Sequence, residues 1–201
     1  MAHEGDHGPH GHGHKPHEHE PHEPKPHEPK PQADAVPREH KERAPAYAKV
    51  YVITCSDSRT EATDAGGRYL RERLADQGHV LAGLAIVPDD PARILAELAR
   101  AHAGSAQVVL VTGGTGLSRR DATFEALSSA IVRPLPGFGE LFRSLSFAEI
   151  GSAAMLSRAV AGVTANGLLV FAMPGSPAAV RLACDKLILP ELTHLLEELA
   201  R

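Results

Sequence analysis

Apolar positions in this chain fall into short runs separated by stretches of helical spacing, and they begin only beyond residue 46. Residues 50–54 (VYVIT), 80–87 (VLAGLAIV) and 108–111 (VVLV) are continuous runs rich in β-branched side chains. Such runs read as strands buried on both faces. Between them, 66–78 carries Tyr69, Leu70, Arg73 and Leu74 at helical spacing, with Gly78 as a stop. The turn PDDP at 88–91 leads into a helix bearing Ile94, Leu95 and Leu98, with Asp90 as its cap and Pro91 in its first turn. Further helices are predicted at 123–131, 138–145, 178–188 and 191–199. The runs 159–163 and 168–172 flank Asn166-Gly167, a strong hairpin signal. Alternating strands and helices with short loops predict an α/β fold. It is a three-layer α/β/α domain with a doubly wound, mostly parallel sheet and one antiparallel hairpin.

Composition divides the chain in two. Residues 1–46 hold ten of the thirteen histidines, nine of the sixteen prolines and almost no large apolar side chains. The pentapeptide PHEPK occurs twice in succession, at 21–25 and 26–30. A segment of this kind buries too little surface to offset its ordering entropy, so a disordered His/Pro-rich tail is expected over 1–46 and one domain over 47–201. Histidines such as His10, His12, His14, His17 and His19 offer imidazole ligands for nickel or zinc. The competing reading is a solubilising tail with incidental metal affinity.

Net charge is −4, Lys and Arg are dispersed, and there is no Trp, so nothing favours nucleic acid. The two cysteines, Cys55 and Cys184, argue against a disulfide framework. No apolar run approaches membrane-spanning length. A soluble, cytoplasmic protein without membrane contact is expected.

Chemistry concentrates after the strands, where α/β sheets bind ligands. The third strand is followed by Gly113, Gly114, Thr115 and Gly116, then by Arg119-Arg120-Asp121. Glycines let a backbone approach a phosphate closely, yet this is neither a P-loop nor a dinucleotide fingerprint. Asp121 reads as a helix cap or as a ligand-facing carboxylate. Asp89, after the second strand, reads as a turn residue or as a partner to Asp121 at a magnesium site. Ser56 and Arg59 follow the first strand; Arg59 is a bidentate phosphate donor or part of a solvated loop. Pro174, Gly175 and Ser176 follow the last strand, as a helix start capped by Ser176 or as an anion cradle. Cys55 reads as a buried small side chain.

These motifs carry a resemblance. TGGTGLSRRD (112–121), LPGFGELFR (135–143), LSRAVAGV (156–163) and AMPGSP (172–177), with TCSDSRTEATDAGGRYL (54–70) and VPDD (87–90) in order, are similar to the MoaB/Mog proteins of molybdenum cofactor biosynthesis. The resemblance covers 49–199, and FAEIG at 147–151 looks more like the MoaB branch than Mog. It implies adenylylation of molybdopterin, whose terminal phosphate attacks the α-phosphorus of ATP and releases pyrophosphate. It further implies Asp89 and Asp121 as catalytic magnesium ligands, Gly113–Gly116 around the nucleotide phosphates, and Ser157 with Pro174–Ser176 lining the substrate cleft. The cofactors implied are Mg²⁺, ATP as co-substrate and molybdopterin as substrate. The partners are other proteins of the pathway, in a homotrimer or homohexamer. The alternative is a non-catalytic protein binding molybdopterin or a precursor. Thr123-Phe124 stands where many relatives carry Thr-Pro, and the tail lies outside the resemblance.

Overall fold

The structure, a computed structural model, describes residues 1, 45–118 and 121–201. In chain order the strands are β1 (Lys49–Cys55), β2 (Val80–Val87), β3 (Val108–Thr112), β4 (Ile131–Pro134), β5 (Val160–Thr164) and β6 (Leu169–Met173). They form one sheet ordered β2-β1-β3-β6-β5-β4. β1 pairs in parallel with β2 and β3, and β3 with β6. β5 runs antiparallel to both of its neighbours, β6 and β4. The helices are α1 (Ala65–Asp76), α2 (Pro91–Ala103), α3 (Thr123–Ala130), α4 (Pro136–Ile150), α5 (Pro177–Ala183) and α6 (Leu192–Ala200).

Side-chain alternation along the central strands builds two cores. Val50, Val52, Val108, Leu110, Leu169 and Phe171 pack beneath α1, α4, α5 and α6. Tyr51, Ile53, Val109, Val111, Val170 and Ala172 face α2 and α3. Successive strand residues point to opposite faces, so a sheet with helices on both sides needs apolar residues at every position. That is the physical origin of the unbroken runs in the sequence. The three-layer, doubly wound architecture follows as predicted. From β1 the chain winds one way to β2 and then back to β3, so the winding switches direction beside β1.

Four details differ from the sequence reading. Ile131–Pro134 is an edge strand rather than a helix end, and Pro134 is tolerated there because an outer edge needs no ladder donor. The helix expected at 138–145 is longer, starting with Pro136 in its first turn and running to Ile150, and a 3₁₀ turn follows at Gly151–Leu156. The helix expected at 178–188 widens into a π-turn at Cys184–Ile188, where the Leu189 N–H donates to the Cys184 carbonyl at 2.9 Å. The Asn166-Gly167 turn is closed from Gly167 N–H to the Thr164 carbonyl at 2.9 Å, one residue earlier than a tight two-residue hairpin. The tail histidines His10, His12, His14, His17 and His19, and the Arg119-Arg120 pair, lie outside the described residues. No helix among the described residues is long and apolar enough to cross a membrane.

Candidate functional site

The carboxyl ends of β1, β3 and β6 meet at the switch in winding. The Gly113 N–H donates to the Met173 carbonyl at 3.0 Å, joining the loop after β3 to the end of β6. Gly113 has φ 97°, and a Cβ there would overlap the Cys55 carbonyl oxygen. Gly114 has φ 61°, and a Cβ there would overlap the Thr123 hydroxyl and the Asp89 carboxylate. Both positive φ and absent space demand glycine, so the loop runs flush between the end of β1 and Asp89.

Asp89 and Asp121 have different surroundings. Asp89 is half-buried, and its Oδ1 accepts from the Ala122 N–H at 3.0 Å and the Thr123 hydroxyl at 3.1 Å. The N-cap residue of α3 is Ala122, which has no side chain able to cap. Asp89 therefore caps α3 from across the sheet edge, bringing a negative charge to a helix N-terminus. Asp121 does not cap α3. Its Oδ2 turns back to accept from the Ser118 N–H at 2.9 Å, while its own N–H donates to the Ser118 carbonyl at 2.9 Å. Cys55 lies beside this group, and burial pushes its thiol up to about 12, with the Asp89 charge adding to the rise and a hydrogen bond with Thr123 opposing it. It is a buried thiol, as the sequence suggested.

The PGSP turn closes the other side. Ser176 caps α5, its hydroxyl accepting from the Ala179 N–H at 3.3 Å, and Pro177 opens the helix. Arg59 donates to the Gly175 carbonyl at 2.7 Å and stands 3.8 Å from the buried Asp64. The Ser56 hydroxyl accepts from the Ser58 and Arg59 N–H groups at 3.3 and 3.2 Å. Ser56 and Arg59 thus shape the loop after β1 and tether the turn after β6. A cavity of about 220 Å³ lies between the glycine loop and the PGSP turn. Thr115, Gly116, Ser157, Pro174 and Ser176 give it polar edges, and Phe142, Ile150 and Leu156 give it an apolar wall. The Ser157 hydroxyl oxygen is buried with no hydrogen-bond partner among the described residues. Hollows of about 400 and 370 Å³ lie at the opposite end of the strands, near Gln107, away from the glycine loop, the PGSP turn and both aspartates.

Arg158 secures the glycine loop from behind. Its guanidinium donates to the carbonyls of Thr115 and Asp121, each at 3.1 Å, and to the Gly116 carbonyl. It also pairs with the Glu125 carboxylate and stands 4.9 Å from the centre of the Phe124 ring. The hydrogen bond from Arg158 holds the Glu125 carboxyl below its ordinary range.

A family model described as a probable molybdopterin binding domain matches residues 51–194. Molybdenum cofactor biosynthesis protein B of Bacillus anthracis is 50% identical over 165 residues, covering 81% of this chain and 97% of that protein. The chain belongs to the MoaB/Mog family. A crystal structure of a molybdenum cofactor biosynthesis protein B superposes with a TM-score of 0.74 at 49% identity, covering 79% of this chain and 99% of the other. The tungsten cofactor synthesizing protein MoaB from Pyrococcus furiosus gives 0.72 at 37% identity, covering 79% and 100%. These relatives favour the MoaB side of the family.

In this MoaB-type chain, the fold gathers five of the residues singled out from sequence around one cavity: Thr115, Gly116, Ser157, Pro174 and Ser176. Gly113, Gly114 and Gly175 form the packed floor between the loops, where a Cβ on Gly175 would stand 3.1 Å from the Gly113 Cα. Asp89 and Asp121 flank the glycine loop, joined through the stretch 121–123. Sequence reasoning missed Arg158 and Asp64 and gave Thr123 no role in the site. Asp64 is buried at the start of α1, accepting from the Thr54 hydroxyl at 2.6 Å and the Gly67 N–H at 2.9 Å. Its signal was present, an aspartate just ahead of a helical pattern. Arg158 had none beyond its place beside Ser157 in LSRAV, because its partners lie more than thirty residues away in sequence.

Proposed function

We propose that this protein acts in molybdenum cofactor biosynthesis by binding molybdopterin in the cavity between the glycine loop and the PGSP turn, and that it adenylylates the pterin with ATP and magnesium. The cavity carries the reading. It sets a backbone loop suited to phosphate beside an apolar wall suited to a flat heterocycle, with Ser157 offering a buried hydroxyl that has no partner among the described residues. The family and its homologues named for molybdenum cofactor biosynthesis support the substrate class.

In this reading the terminal phosphate of molybdopterin attacks the α-phosphorus of ATP. A phosphorus–oxygen bond forms to the pterin phosphate as the bond to pyrophosphate breaks. Such transfers depend on positioning and charge neutralisation, and no covalent nucleophile is needed. The donor chemistry of the site fits magnesium, which is held by one or two carboxylates together with substrate phosphates. Asp89, whose hydrogen bonds among the described residues end on Oδ1, and Asp121 would hold it. When bound, the ion neutralises charge on the phosphates. The chain's own residues do the rest: the Gly113–Gly116 backbone receives the phosphates, and Ser157 and the PGSP turn orient the pterin.

A second reading is a pterin-binding protein without turnover. It is favoured by Asp89, whose carboxylate already serves as the cap of α3. Adenylyl transfer from labelled ATP to molybdopterin by wild type and Asp121→Ala separates the two. Label transfer that depends on Asp121 supports the enzyme. Transfer undiminished by the substitution removes the role given to Asp121, and tight pterin binding without transfer supports the second reading. Assembly as a trimer or pair of trimers is part of the proposal; the exposed Leu141, Phe147 and Met155 on α4 and the 3₁₀ turn support self-association.

A further inference from the structure

Arg158 is largely enclosed, yet none of its polar partners belongs to its own segment. Its guanidinium reaches the carbonyls of Thr115, Gly116 and Asp121 and the carboxylate of Glu125. The structure contains no cis peptide among the described residues. In a trans peptide the carbonyl and the following N–H point in opposite directions. Because the Thr115 and Gly116 carbonyls both point at Arg158, the N–H groups of Gly116 and Leu117 point away from it. Neither N–H has a hydrogen-bond partner among the described residues. Gly116 lines the cavity, as does Ser157, the neighbour of Arg158 in the chain. Ser157 therefore faces the cavity while Arg158 grips the back of its opposite wall.

We propose that Arg158 is the positioning residue of the glycine loop, turning the Gly116 and Leu117 N–H groups outward as a nest for a phosphate. Two successive backbone N–H groups aimed to one side form an anion-binding concavity. A guanidinium fork suits this task because several donors lie in one plane, which an ammonium group cannot reproduce. Glu125 and the Phe124 ring hold the fork in its plane. This gives Phe124 a place in the site: its ring supports Arg158.

The inference rests on reading the loop as a phosphate site. It is tested by calorimetric titration of inorganic pyrophosphate into the full chain as wild type, Arg158→Ala, Arg158→Lys and Glu125→Gln, with thermal unfolding of each. Arg158→Ala is expected to bind about 10- to 100-fold more weakly, the effect of losing hydrogen bonds to a charged group. Arg158→Lys should fall between Arg158→Ala and wild type, and Glu125→Gln should lose several-fold. Added guanidinium ion should restore part of the affinity of Arg158→Ala, which a merely structural role would not allow. If Arg158→Ala does not fold, Arg158→Lys and Glu125→Gln carry the test, and wild-type affinity in both overturns the inference. Unchanged affinity in folded Arg158→Ala, or a loss that guanidinium leaves untouched, overturns it as well. A wild type that binds no pyrophosphate overturns the phosphate-site reading and this inference together. Wild-type binding with an unaffected Arg158→Ala overturns the inference alone.

Discussion

Asp89 and Asp121 look equivalent in sequence, and the fold makes them unequal, so their alanine variants should separate. Asp89 Oδ1 holds the Ala122 N–H and the hydroxyl of fully buried Thr123. Truncation leaves both donors at the start of α3 without an acceptor. A hydrogen bond to a charged group contributes about 1.5–3 kcal/mol. Asp89 is only half-buried, so the lower part of that range applies, and the pair amounts to about 2–4 kcal/mol. For a domain of this size that lowers the melting temperature by roughly 5–12 °C. Among the described residues the Asp121 carboxylate accepts one hydrogen bond, from the exposed Ser118. Its truncation should cost under about 1 kcal/mol. Asp89→Asn keeps an acceptor oxygen at the cap and should recover most of the loss. Urea unfolding of the three variants and wild type measures this directly. Equal losses for Asp89→Ala and Asp121→Ala, or an Asp89→Ala variant as stable as wild type, would refute the cross-sheet cap.

Two further outcomes follow from the same structure. Burial pushes the thiols of Cys55 and Cys184 from an ordinary 9.0 up to about 12. Native protein at about pH 8 should therefore resist iodoacetamide at both positions, while unfolded protein labels readily. The folded thiols keep their protons where the unfolded ones lose them. Their contribution to stability is thus complete below pH 9.0 and is lost as pH rises toward about 12. The fall in urea midpoint above pH 9.0 should be shallower in the Cys55→Ala/Cys184→Ala double variant, and an identical fall would contradict it. For the tail, the full chain is expected to bind several Ni²⁺ or Zn²⁺ ions weakly, and a chain beginning at Tyr47 to lose them. Unchanged stoichiometry on truncation would move the metal site elsewhere.

The layers of this protein were legible in its sequence because burial on both faces leaves an unmistakable trace, continuous apolar strands such as 108–111 between helices of regular period. The helix starts at Asp90 and Ser176 were legible too, since a cap acts within three residues of itself. So was the glycine loop, because the positive φ of Gly113 and Gly114 is a local requirement, although the close approach of Cys55 and Asp89 is not. β4 was not: its four residues are mostly exposed, and it is a strand only because the edge of β5 needs a partner. The cap of α3 was not, because its donors and Asp89 are more than thirty residues apart. Nor was the grip of Arg158 on the loop. Local sequence determines which segments become strand, helix or turn, because those preferences act within a few residues. Which carboxylate caps a distant helix, and which arginine shapes a phosphate loop, depends on strand order, and only the tertiary structure decides that.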